Sequence, residues 1–188
     1  NVLVNISASD DSGISSIWFF NGTGNVTYTS QTTYTFPQGS NTLIAYANDS
    51  AGNLNSTSVS FIVDLIVPNI SIISPLNQSY NNATILINLS ASDNIAIDKI
   101  WFFNGSANVT YTSPVLYTFP QGSNTLIAYV NDSAGNLNLT SVNFIVDTIG
   151  PLVNIISPES KTYGVNTSLL LNFSVSDATT SVNSCKYS

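Results

Sequence analysis

The sequence predicts an all-β protein made of two-sheet antiparallel sandwiches in tandem. Three observations carry that expectation. Residues 97–147 repeat residues 14–64, with about four positions in five identical. Within each copy, short apolar-alternating runs are separated by Gly, Pro and Asn turn signals. No segment keeps the 3.6-residue periodicity of a helix. Trp18 and Trp101 set the period at 83 residues, and Asp49/Asp132, Gly52/Gly135 and Pro68/Pro151 keep it without a gap. That is too long for a small solenoid unit and suits one small autonomous domain.

The second copy is complete and shows each strand in turn. Residues 69–74 read as a short strand that Pro75 and the polar residues up to Asn82 stop. From Thr84 to Ala91, Ile85, Ile87, Leu89 and Ala91 alternate with polar positions, and 93–96 is a loop. Residues 97–103 form a third strand, closed by Asn104-Gly105, a pair suited to the positive φ angles of a hairpin. Strands at 108–112 and 115–119 follow, parted near Pro114. Residues 120–124 are a turn, 125–131 the sixth strand, 132–136 a tight connection and 137–146 the last strand. Seven short strands of this kind describe a sandwich of immunoglobulin type, without the paired cysteines of antibody domains.

The module boundaries fall at 1–67, 68–150 and 151–188. Asn1–Ser7 aligns with the second strand of the next copy, so the first module is expected to lack its first strand. Residues 151–188 cover the opening strands of a third. Placing Val182 on Ile97 sets Cys185, Lys186 and Tyr187 on Ile100, Trp101 and Phe102. One cysteine, Cys185, allows no disulfide within these residues, so the modules rely on their apolar cores.

Composition excludes several functions. Ten carboxylates stand against three lysines, with no Arg or His, and the net charge is −7. Nucleic acid and anionic membrane surfaces are disfavoured, because phosphate binding requires Lys and Arg. With no His and a single Glu, Glu159, the groups used for acid–base catalysis are almost missing, and an enzyme is not expected. No apolar run approaches the length of a membrane span.

Polarity is carried by Asn, Ser and Thr. Fifteen Asn-x-Ser/Thr sequons begin at Asn5, Asn21, Asn25, Asn48, Asn55, Asn69, Asn77, Asn82, Asn88, Asn104, Asn108, Asn131, Asn138, Asn166 and Asn172. Random placement of the same residues would give about six. N-linked glycans and an extracellular, cell-surface location follow, with Asn88 and Asn108 expected to point away from the core. The plainer account is that composition and duplication inflate the count.

The turn Asn131-Asp132-Ser133-Ala134-Gly135-Asn136 and the boundary Val146-Asp147-Thr148-Ile149-Gly150-Pro151 resemble the immunoglobulin-like repeats of large bacterial and archaeal surface proteins and adhesins. Ser184-Cys185-Lys186-Tyr187-Ser188 resembles the third strand of archaeal relatives. The first boundary, Val63-Asp64-Leu65-Ile66-Val67-Pro68, departs from the usual Asp-Thr-x-Pro form. The resemblance implies a fold and an extracellular setting more than a ligand.

Two sets of residues stand out as functional. If Lys186 marks a solvent position, Ile100 and Phe102 point inward and Trp101 and Phe103 outward. Ile127, Tyr129 and Ile145 then join them in one outer apolar band, matched in the first copy by Trp18, Phe20, Ile44, Tyr46 and Ile62. Such a band marks an interface. Self-association into a fibre or layer is the first partner it suits, and a carbohydrate or protein receptor of an adhesin the second. A one-residue slip would instead make the tryptophan core.

The other set is acidic. Asp64, Asp93, Asp132 and Asn136 are expected near the first full junction, with Asp10, Asp11, Asp49 and Asn53, and Asp147 with Asp177, as equivalents. Carboxylates and amides without His or Cys suit calcium. Alternatively, each Asp only caps its own turn.

Overall fold

The computed structural model describes residues 1–165 and 167–186; among these it contains strands and no helix, hence none long and apolar enough to cross a membrane. The chain divides into two compact units, Asn1–Ile66 and Val67–Ser188.

The first unit holds β1 (Val2–Val4), β2 (Ile14–Phe20), β3 (Asn25–Thr27), β4 (Thr32–Tyr34), β5 (Gly39–Asp49) and β6 (Leu54–Val63). They form a two-stranded sheet, β1-β4, and a four-stranded sheet, β3-β2-β5-β6. Val4, Phe19, Phe36, Leu43 and Ala45 fill the space between the sheets.

The second unit begins with a complete sandwich: β7 (Asn69–Ser74), β8 (Ser79–Tyr80), β9 (Thr84–Ser92), β10 (Ile97–Phe103), β11 (Asn108–Thr110), β12 (Val115–Thr118), β13 (Gly122–Asp132) and β14 (Leu137–Val146). Its sheets run β11-β10-β13-β14-β8 and β12-β9-β7. The two-residue β8 lies in a stretch expected to be turn. It pairs parallel to the end of β14, with Ile145 N donating to Gln78 O and Asp147 N to Tyr80 O. Two residues in a polar segment carry no readable alternation, which is why the pattern hides this strand.

Alternation along each strand supplies the core. Ile85, Ile87 and Leu89 of β9 face Phe102 of β10, Leu126, Ala128 and Val130 of β13, and Phe144 and Val146 of β14. The aromatic rings meet edge to face, the arrangement their quadrupoles favour. Phe102 contacts Tyr117 (6.2 Å), Tyr117 contacts Phe119 (5.1 Å), and Phe119 contacts Phe144 (4.9 Å).

β15 (Leu152–Ser157) and β16 (Asn172–Ser176) pair as an antiparallel hairpin within the second unit. Residues 181–186, expected to open a third strand, form none; Cys185 is exposed there, and Tyr187 and Ser188 lie outside the described residues.

Candidate functional site

Cross-strand register decides what each face presents. In the second unit Trp101 pairs with Tyr129 and Phe103 with Ile127, while the intervening Phe102 is 0 % exposed. Trp101 and Phe103 are therefore on the outer face, half-buried by their neighbours. The Trp101 and Tyr129 rings stack, with centroids 5.4 Å apart and planes 5° from parallel. The first unit repeats this: Trp18 opposite Tyr46, rings 5.5 Å apart and 8° from parallel, Phe20 opposite Ile44, and Phe19 in the core. One face of each stacked ring is thus covered by the other.

The outer band is not continuous. Ile145 pairs with Ser123, and between that pair and Ile127 lie Thr125 and Asn143, hydrogen-bonded at 2.7 Å. In the first unit Thr42 and Ser60, 3.0 Å apart, separate Ile44 from Ile62 in the same way. Ile62 and Ile145 share the face but not the aromatic patch. Leu139 instead lies directly opposite Tyr129 and is 53 % exposed, with Leu137 two positions along. The same alternation that places Phe144 and Val146 inward would have found these leucines. The first unit has Ser56 opposite Tyr46, so it lacks the counterpart of Leu139 while keeping that of Leu137 in the exposed Leu54.

Each hairpin following β2 or β10 is tied by one asparagine. Asn104 Oδ1 accepts from Ser106 N, Ser106 Oγ and Ala107 N, each at 2.9 Å, and its Nδ2 donates to the Tyr117 hydroxyl. Tyr117 belongs to the opposite sheet, so this bond links the two layers. Asn21 does the same, accepting from Thr23 N, Thr23 Oγ1 and Gly24 N while donating to Tyr34. Gly22 and Gly105, at φ of +95° and +96°, permit the turn.

The acidic residues mostly have partners within their own turns. Asp132, 1 % exposed, accepts from Ala134 N (2.9 Å), Asn136 N (2.8 Å) and Asn136 Nδ2 (2.7 Å). Asp49 repeats this with Ala51 and Asn53, and the Asn53 side chain, its main influence, holds its pKa below the ordinary value. Asp10 accepts from Ser12 N, and Asp11 from Ser12 Oγ. Asp64, in the first unit, accepts from Gln38 Nε2 and Ile66 N. Asp93 and Asp132, both in the second unit, bring carboxylate oxygens within 4.8 Å of each other. Asp93 Oδ2 accepts from Ile95 N and Ala96 N, whereas its Oδ1 is buried without a hydrogen-bond partner.

Two glutamines not singled out from sequence hold the chain as it leaves each sandwich. Gln38 accepts from Leu65 N and donates to Asp64; Gln121 accepts from Thr148 N and donates to Asp147 at 2.9 Å. Gln121 Nε2 also reaches Thr179 Oγ1, and Thr180 Oγ1 donates to Asp147 at 2.6 Å. Asp177 caps the same loop by accepting from Thr179 N and Thr180 N.

The Thr180 hydroxyl, foremost, and the Gln121 amide keep the Asp147 carboxyl below its ordinary value of 3.8, against an opposing effect of burial. A lowered folded-state pKa stabilises the contact above the unfolded value and loses that contribution as pH falls through the folded one. Thr180→Val is therefore expected to move Asp147 upward toward 3.8, read from its carboxyl carbon by NMR titration. An unmoved titration would remove the hydroxyl from this role.

Residues 68–128 match the family model of the bacterial Ig domain. The second module is an immunoglobulin-like domain. Among solved structures the chain is similar to the fibronectin(III)-like modules of Clostridium thermocellum CbhA, with a TM-score of 0.46 and 19 % identity. That likeness covers 77 % of this chain and 84 % of the other. No curated protein matches it significantly. Ig-like domains of this kind are typically extracellular or surface-associated, and typically non-catalytic.

The Ig-like fold sorts the sequons. Asn5, Asn25, Asn55, Asn69, Asn77, Asn82, Asn108 and Asn172 are exposed. Asn48, Asn88, Asn104, Asn131 and Asn138 are half-buried, and Asn21 is buried. Asn88 lies between the buried Ile87 and Leu89 and so alternates away from the core, and its Oδ1 accepts from the Tyr111 hydroxyl at 3.3 Å. Asn131 donates to Asp98, Asn138 to Pro68 O, and Asn48 accepts from Ser16. Asn166 lies outside the described residues.

Proposed function

We propose that this chain is a segment of a glycosylated extracellular stalk, fibre or surface layer, in which Ig-like modules act as spacers. The observation that carries this reading is the repeated glutamine clasp. Gln38 and Gln121 each bond the backbone just beyond the last strand and the Asp that begins the linker. A spacer has to define how its chain departs, and a clasp from the module's own turn restricts that departure. The near-identical second copy supports the same reading, since a spacer multiplies by duplication.

An adhesin that stacks sugars on its aromatic residues would present open ring faces. Here the stacked Trp101 and Tyr129 cover one another on one side, which favours the spacer. The test is immunogold electron microscopy of native cells with antibody to this chain. Label is expected along extended surface structures. Label confined to the cell interior would overturn the proposal.

A further inference from the structure

We propose that Asn25 and Asn108 carry N-linked glycans whose first sugar packs on Phe20 and Phe103, so that the chain's own sugar covers the aromatic face. The inference rests on the glycosylated extracellular reading and adds the site and its aromatic partner.

Each hairpin contains two sequons four residues apart, Asn21 with Asn25 and Asn104 with Asn108. The first of each pair is engaged in tying the turn through both ends of its amide. Attachment there would put the sugar on the nitrogen that donates to Tyr34 or Tyr117, leaving it a single N–H in a turn already closed around it. The second of each pair is exposed and opens β3 or β11, the edge strand of its sheet. An edge strand leaves one side of the backbone open to a modifying enzyme.

Register supplies the partner. Asn108 is directly opposite Phe103 and Thr110 directly opposite Trp101; Asn25 is opposite Phe20 and Thr27 opposite Trp18. Side chains at directly opposed positions share a face, with Cβ atoms about 4.5–5.5 Å apart. A sugar on Asn108 Nδ2 thus starts beside the half-exposed Phe103 ring. A pyranose offers an apolar C–H face, and the negative face of an aromatic ring attracts those hydrogens. The arrangement occurs twice, 83 residues apart, with the same register.

In the attachment step Nδ2 bonds to the anomeric carbon of an activated glycosyl phosphate donor. The carbon–oxygen bond to phosphate breaks, and one amide proton leaves to a base of the transferase. No oxidation or reduction takes place. The glycan would also stand in the way of a second copy approaching this face.

The experiment starts with protein purified from its native source. Fragmentation mass spectrometry is expected to place sugar on Asn25 and Asn108 and none on Asn21 and Asn104. Sugar on other sequons with Asn108 bare overturns this inference alone, whereas no sugar on any sequon overturns the glycoprotein reading as well. Asn108→Gln is expected to lower the Tm of the second module by roughly 4 °C in the native background. It is expected to have no effect in a Phe103→Leu background. Equal losses in both backgrounds overturn the packing. Should Phe103→Leu fail to fold, proton NMR of the glycosylated protein decides: sugar protons shifted upfield by the ring support the proposal, and unshifted ones overturn it. Glycosylated protein that sediments as a dimer, and as a monomer after Trp101→Ser, would assign the face to a second copy instead.

Discussion

Replacing Phe102 by Ala is expected to destabilise the second module by about 3–5 kcal/mol. The side chain is 0 % exposed and begins the edge-to-face series through Tyr117 and Phe119 to Phe144. Its removal leaves a cavity between two sheets that strand pairing prevents from collapsing. Domains of this size are stable by about 5–15 kcal/mol, so the loss takes a large share of the total. A thermal melt should fall by on the order of 20 °C. Trp101→Ser, one residue away, removes a surface stack worth about 0.5–1.5 kcal/mol and leaves the module folded. If Trp101→Ser cost more than Phe102→Ala, the assignment of the two faces would be inverted.

Asp132→Ala is expected to cost about 2–4 kcal/mol, through a different cause. Three donors, Ala134 N, Asn136 N and Asn136 Nδ2, converge on this carboxylate, which is 1 % exposed. Alanine leaves them without their acceptor. Asp132→Asn keeps one acceptor but turns an NH2 toward the Asn136 amide, so its loss should be intermediate. Melts with and without a chelator separate turn-capping from cation binding. A cost independent of chelator fits the hydrogen bonds, while a cost that vanishes in chelator would assign Asp132 to a cation shared with Asp93.

The fold class was legible because its signal is local. The alternation in 84–91 marks β9, and Asn104-Gly105 marks the hairpin after β10. Features that depend on pairing were less accessible. Alternation tells which face Ile145 occupies, but only register shows that Thr125 and Asn143 part it from Ile127. The sequon at Asn104 was ambiguous for a chemical reason. Asn-Gly-Ser is both a glycan acceptor and a turn whose Asn oxygen collects the next hydroxyl and amides, and the three letters are the same in either role. The clasp by Gln121 was hidden because its partner, Thr148, lies 27 residues on.

The shared register of the two modules also bears on how the chain reaches this state. β2 meets β5 through the same pairs by which β10 meets β13, displaced by 83 residues. Few differences discriminate one pairing from the other: Ser15 and Ser16 stand where Asp98 and Lys99 do, and Ala47 where Val130 does. An unfolded chain can therefore pair β2 with β13 at nearly full strength, and near-identical neighbours misassemble in this way. Synthesis avoids the confusion by timing, since the first module emerges and closes before its copy exists. Refolding from denaturant offers both partners at once, and a fraction of molecules is expected to become trapped there with strands exchanged.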